Sequence, residues 1–241
     1  MKVFNRLTSS SLIQGISWVF LSTTIATLLR FLLVFIVIRS YTQEQFGLWG
    51  SITSIAAIII TGDFGLTNVL RSIASENLNR GKEGDEETKR YFYSTLLFFM
   101  IFAILLAVIL FFFHDYIPFE KLFKTDNIQL RQQGHIICSI VLFLFFFTIP
   151  LSIAGALFFS YGENKYNAIL AFVSSILTFI IVAGLAVFKF SIVYTSIVYF
   201  ACPLVIYTIS TFLFISKREW WNVHIQLRQT FEDLKFLLPL G

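Results

Sequence analysis

Two charged residues interrupt long apolar stretches of this chain, Arg30 in the segment RFLLVFIVIR and Asp63 in the segment IIITGDFGL. A charge at the centre of a lipid-spanning segment costs about 2.5 to 3.5 kcal/mol on insertion scales, so each marks a place where something other than burial is at stake. Thr23, Ala26 and Thr27 precede Arg30 by seven, four and three residues, the spacings that put side chains on one face of a helix. That face is small and polar on a segment otherwise built from Leu, Val, Phe and Ile. A guanidinium offers paired N–H groups that match the oxygens of a phosphate, so the chemistry open to Arg30 is anion binding, with Thr23 and Thr27 beside it. The competing reading is a structural one, in which Arg30 snorkels or bonds backbone carbonyls.

Asp63 lies between Gly62 and Gly65 and eight residues before Arg71. Its structural reading is a carboxylate that accepts backbone N–H groups freed where the helix loosens. At about 1.5 Å per residue, Arg30 and Asp63 differ in depth by roughly 10 Å, so they pair directly only if the arginine stretches inward. Pro150 and Pro203 each remove one internal hydrogen bond from an apolar run and favour a kink, which serves either packing or hinge motion. Ser152, Ala154, Gly155 and Ala156, and later Ala183 and Gly184, allow close helix approach.

Covalent chemistry finds no foothold. Cys138 and Cys202 lie singly inside apolar runs, and His114, His135 and His224 are scattered, so neither a metal-ligand spacing nor a nucleophile with its base can be assembled. The protein is expected not to be an enzyme and to need no cofactor or metal; a coupling ion, H+ or Na+, is the one small species a transport role would call on.

The elements that carry these residues follow from composition. Of 241 residues 57% are apolar and 13% charged, against about a quarter charged in a soluble domain, and 30 are Phe. Neither a typical soluble enzyme nor a disordered chain has this make-up. Six apolar runs, 16–38, 46–70, 91–113, 136–159, 167–188 and 192–215, each reach the ~20 residues that cross a ~30 Å hydrocarbon layer as a helix. They are continuous rather than alternating, which excludes a β-barrel, and the first is too long and lacks the cleavage site of a signal peptide. The expected fold is all-α: a polytopic membrane protein whose six helices form one bundle over residues 1–215.

Twelve Lys and Arg residues fall on the N-terminal side of this topology against five on the other, so both termini are expected in the cytoplasm. The same bias accounts for the pI of about 9.1, and with no basic soluble domain there is no case for nucleic-acid binding. The stretch 72–90, mixed in charge, is expected to be a solvated hairpin, and the short connections at 161–166 and 189–191 force antiparallel neighbours. Residues 216–241 read as a linker: apolar positions from Trp220 to Leu238 recur at three and four, as in an amphipathic helix along the cytoplasmic interface, with Trp220 and Trp221 at headgroup level. The last six residues read as the opening of a further hydrophobic segment, so the chain is expected to be incomplete.

The stretch YTQEQFGLWGSITSIAAIIITGDFGLTNVLRSIA, residues 41–74, resembles the polysaccharide flippases of O-antigen and capsule type in the multidrug/oligosaccharidyl-lipid/polysaccharide exporter superfamily. In that family a "GPEEFGLW"-like turn leads into a helix ending in "DFGL" and a basic residue. Here these are Glu44, Phe46, Gly47, Leu48 and Trp49, then Asp63, Phe64, Gly65, Leu66 and Arg71, with Thr42 and Gln43 departing from the usual Gly-Pro. The turn YGENKYNAIL, residues 161–170, is similar to the family's connection between helices four and five.

The resemblance implies two six-helix lobes around a central cavity, of which this chain covers the N-terminal one. It implies a multi-pass protein of the bacterial plasma membrane that moves undecaprenyl-diphosphate-linked oligosaccharide to the outer leaflet for polysaccharide biosynthesis. Arg30 would contact the diphosphate, with Asp63, Gly65 and Arg71 organising the cytoplasmic end of helix two. Partners would be the bilayer, the lipid-linked oligosaccharide, a second lobe or second copy of the chain, and polysaccharide assembly enzymes. Two alternatives stand beside it: a cation-coupled drug antiporter of the same superfamily, and a half-transporter that no longer transports or serves as an assembly partner.

Overall fold

Apolar residues that are strong helix formers, uninterrupted by Gly-Pro punctuation, leave the backbone one way to satisfy its polar groups in a lipid-like environment. A computed structural model describes residues 9–60, 65–113, 128–221 and 227–237, and there the chain is helical with short turns. The elements are α1 (Ser9–Ser40), α2 (Gln43–Ile60), α3 (Leu66–Asn77) and a 3₁₀ turn (Leu78–Arg80), then α4 (Lys82–Phe113), α5 (Ile128–Ser160), α6 (Asn164–Val187), α7 (Ile192–Lys217) and α8 (Leu227–Leu237). Among the described residues five helices, α1, α4, α5, α6 and α7, are long and apolar enough to cross a membrane.

The second of the six expected spans is the one that differs. Its run, 46–70, does not continue as one helix: α2 ends at Ile60, and Gly65 stands just before α3 with φ of 71°, a left-handed conformation that ends a regular helix. Beyond Gly65 the chain forms α3 as a separate amphipathic helix that buries Leu66, Leu70, Ala74 and Asn77 on one face. Hydropathy alone does not distinguish an apolar face that packs on protein from one that meets lipid, and the residues after Gly65 belong to the first kind. Asp63 lies outside the described residues.

The expected solvated hairpin at 72–90 is mostly helix. α3 continues to Asn77, the chain turns at Gly81 (φ 68°), and α4 begins at Lys82, about two turns ahead of its apolar run. The turn is tight: a Cβ on Gly84 would stand 2.1 Å from the Asn77 carbonyl oxygen, so no other residue fits there without backbone movement.

The bundle is held in a chain of neighbours. α1 packs on α6, α6 on α7, α7 on α5, α5 on α4, with α2 against α5 and α3 in the angle between α4 and α5. Thr211 on α7 donates its hydroxyl to the Leu151 carbonyl of α5 at 2.9 Å, one polar clasp within the closest of these contacts. α5 continues through buried Pro150 and α7 through Pro203. At one end of the bundle Leu33, Val37, Trp49, Ile137 and Ile192 belong to one apolar cluster; at the other, Leu70, Phe92, Leu157, Phe214 and Trp220 belong to a second.

The second cluster underlies a dense polar network. Tyr161 donates to Asp85 at 2.7 Å, Trp220 Nε1 donates to the other oxygen of Asp85 at 3.2 Å, and Tyr93 donates to the Trp220 carbonyl at 2.7 Å. Glu163 accepts Lys217 at 2.9 Å and Arg218 at 3.2 Å. Trp220 is therefore buried, because its indole N–H finds a carboxylate inside the fold; Trp221 beside it is exposed. Within residues 216–241, α8 lies against α4, where buried Asp233 accepts Ser94 at 2.8 Å and pairs with Arg90 at 3.1 Å. At the opposite end Tyr41 donates to the Phe190 carbonyl at 2.8 Å and lies 2.6 Å from the Thr195 hydroxyl, joining the turn after α1 to the turn before α7.

Candidate functional site

Two cavities, of about 540 and 560 Å³, share Arg30, Ser152, Ser174, Ser175, Pro203 and Tyr207 in their walls. α1 supplies one wall, α6 the facing one, and α5 and α7 the floor between them. The first cavity extends from Arg30 towards the start of α1 and α6, past Thr23, Thr27, Gly155, Asn167 and Asn164. The second extends the other way and is more apolar, with Leu29, Leu33, Phe145, Phe179 and Phe200 in its lining, and Thr53 and Ala56 of α2 closing it.

Arg30 is solvent-accessible from the cavity side, and among the described residues no carboxylate or hydrogen bond holds its guanidinium. It is the one charged residue among the described residues lining either space. A mid-membrane cation without an internal partner and open to a cavity is a donor set that a ligand can use.

The hydroxyls around it are committed in one direction. Ser22 and Thr23 donate to the Val19 carbonyl, Thr27 to Thr23, Ser152 to Ile149 and Ser175 to Ala171, all between 2.8 and 3.0 Å along their own helices. With the proton spent on the backbone, each oxygen keeps its lone pairs for the cavity and acts there as an acceptor.

The structure thus brings together Arg30, Thr23 and Thr27, as the helical spacing predicts, and adds Pro203 to the same walls. Pro150 is buried in α5 and lines neither cavity. Arg71 lies on α3 with its guanidinium carbon 3.1 Å from the centroid of the Phe159 ring, whose side chain lines the first cavity, and its carbonyl accepts Ser160 at 2.8 Å. Gly65 forms the turn ahead of that helix. Asn164, Asn167, Ser174, Ser175 and Tyr207 do not stand out from sequence, yet a signal is present: Asn164, Asn167, Ala171 and Ser174 recur at three and four on an apolar run, the same pattern that marks the Arg30 face.

Outside the bundle core, burial and the Asp85 carboxylate push the Tyr161 phenol above its ordinary value of 10.0, more than the Arg218 charge, 3.4 Å from its ring centroid, pulls it back. Tyr161 therefore stays a proton donor to Asp85 at neutral pH.

The described residues form an all-helical bundle with five helices long and apolar enough to cross a membrane and a polar cavity beside Arg30, which is the architecture of a multi-pass membrane protein. The family model described as polysaccharide biosynthesis protein matches residues 12–240, nearly the whole chain, and the protein belongs to that family. No curated protein and no solved structure matches the chain.

Proposed function

We propose that the protein is a flippase that moves undecaprenyl-diphosphate-linked oligosaccharide from the cytoplasmic to the outer leaflet of the bacterial plasma membrane, in polysaccharide biosynthesis of O-antigen or capsule type. The observation that carries this reading is Arg30, whose guanidinium stands where two cavities meet with no carboxylate or hydrogen bond on it among the described residues, on a chain of the polysaccharide biosynthesis family. A lipid diphosphate must exchange its hydration for fixed donors as it crosses, and a guanidinium supplies two parallel N–H bonds to its oxygens. The acceptor hydroxyls lining the first cavity suit the hydroxyl donors of sugars, while the prenyl chain stays in lipid.

The end of the bundle bearing Arg80, Lys82, Arg90, Lys217 and Arg218 faces the cytoplasm on this reading, by the positive-inside rule. A second lobe, or a second copy of the chain, closes the open side of the cavities, and polysaccharide assembly enzymes supply and consume the cargo. An H+ or Na+ gradient drives the cycle. A cation-coupled drug antiporter is less well supported, because a cationic drug needs a counter-charge and no acidic residue lines either cavity among the described residues.

The test is Arg30→Ala in the full chain reconstituted in vesicles with a labelled lipid-linked oligosaccharide. Losing a charge-assisted pair costs about 1.5 to 3 kcal/mol, so flipping should slow by at least about tenfold at equal protein content. Wild-type rates for the variant would sink the proposal.

A further inference from the structure

The two spaces that meet at Arg30 differ in chemistry, and the difference assigns an orientation to the ligand. In the first, the α1 wall presents hydroxyl oxygens whose protons are already given to their own helix. Facing it on α6 are the carboxamides of Asn164 and Asn167, for which no hydrogen bond within the chain exists among the described residues. An unpaired carboxamide facing a cavity lined by acceptors is suited to a ligand group that both donates and accepts, as the hydroxyls and the acetamido group of a sugar do.

The Asn167 carboxamide also lies against α5: a Cβ on Gly155 would stand 3.2 Å from Asn167 Oδ1, so a larger residue there makes the carboxamide give by a few tenths of an ångström. Ser174, which shares the level of Arg30, follows Asn167 by seven residues, about 10 Å along the α6 axis. That is far enough for a separate group of the ligand to occupy the space between them.

We infer that the first cavity is a glycan subsite and that Asn167, seated on Gly155, is the residue that recognises the sugar adjoining the diphosphate. This rests on the reading of Arg30 as the diphosphate contact, and it adds a second determinant that acts on the sugar alone.

The two are separated by binding to the purified full chain in nanodiscs of a polyprenyl diphosphate without sugar and of the same lipid carrying one N-acetylhexosamine. Asn167→Leu should weaken the sugar-bearing lipid about five- to tenfold, the loss expected for one buried hydrogen-bonded group, and leave the sugar-free lipid unchanged. Gly155→Ala, which displaces the carboxamide without removing it, should weaken the same ligand to a smaller extent. Arg30→Ala should weaken both lipids. If Asn167→Leu and Gly155→Ala weaken both lipids alike, or neither, the glycan subsite is wrong. If Arg30→Ala leaves both unchanged while Asn167→Leu still discriminates, the diphosphate contact is wrong and the sugar recognition stands. Circular dichroism and elution volume of each variant separate a misfolded chain from a binding defect, and Asn167→Gln, which keeps the carboxamide, should retain part of the preference for the sugar.

Discussion

Arg30 and Tyr161 show how differently two polar side chains of one bundle are used. Arg30 lines a cavity and, among the described residues, carries no carboxylate or hydrogen bond on its guanidinium, whereas the Tyr161 hydroxyl is spent on Asp85 within the fold. Because Tyr161 is held above its ordinary value of 10.0, the folded protein keeps the phenol proton at a pH where the unfolded chain releases it. The unfolded state then binds fewer protons, so this residue's contribution to stability is present below pH ~10 and is lost as pH rises towards the folded value. Tyr161→Phe should lower stability at neutral pH by about 1 kcal/mol through the lost bond to Asp85, and should flatten the alkaline decline. Thermal unfolding in detergent from pH 8 to 11 measures both. The neighbouring Trp220 illustrates the limit of pattern: its spacing fits an interfacial face, yet Asp85, 135 residues earlier in the chain, buries it.

At the scale of elements, the apolar runs rise from helices and their ends follow from cap chemistry. α5 stops at a Schellman turn in which Glu163 N–H reaches the Phe158 carbonyl at 2.8 Å around Gly162 at φ 70°. α6 and α7 end the same way, with Lys189 at φ 55° and Glu219 at φ 56° in the left-handed position where glycine is the easier residue. Gly162→Ala should therefore destabilise the turn by about 1 kcal/mol, read as a lower midpoint in thermal unfolding. Five apolar runs could be assigned to spanning helices from hydropathy because length and continuity suffice for that. The end of the run 46–70 belongs to a different helix, α3, where Val69 and Leu70 are apolar for packing on α4 and α5. The stretch 72–90 was similarly opaque: its charges read as solvent, while Ala74, Asn77 and Thr88 turn inwards to the α3–α4 contact.

For the whole molecule, the cavity is the property that no single helix owns. Thr23 and Ser174 line it from α1 and α6, whereas Val182, about two turns further along α6, is fully buried in the apolar cluster at the opposite end. With the native thiols replaced (Cys138→Ala, Cys202→Ser), Thr23→Cys and Ser174→Cys should react with a polar maleimide and Val182→Cys should not. Equal labelling of all three would contradict a wet space bounded by these helices.

Composition and the spacing of charges were enough to establish a helical membrane protein, the location of Arg30 and the polar face formed with Thr23 and Thr27. Those facts are local: they depend on the solvent preference of side chains and on the 3.6-residue period of the helix. Which helices face one another is not local. Only the packing of α1 on α6, with α5 and α7 beneath, sets Asn167 against Gly155 and opens Arg30 to a cavity. Contacts such as Tyr41 with Thr195 or Asp85 with Trp220 are fixed by the free energy of the assembled bundle, and no window of the sequence contains them.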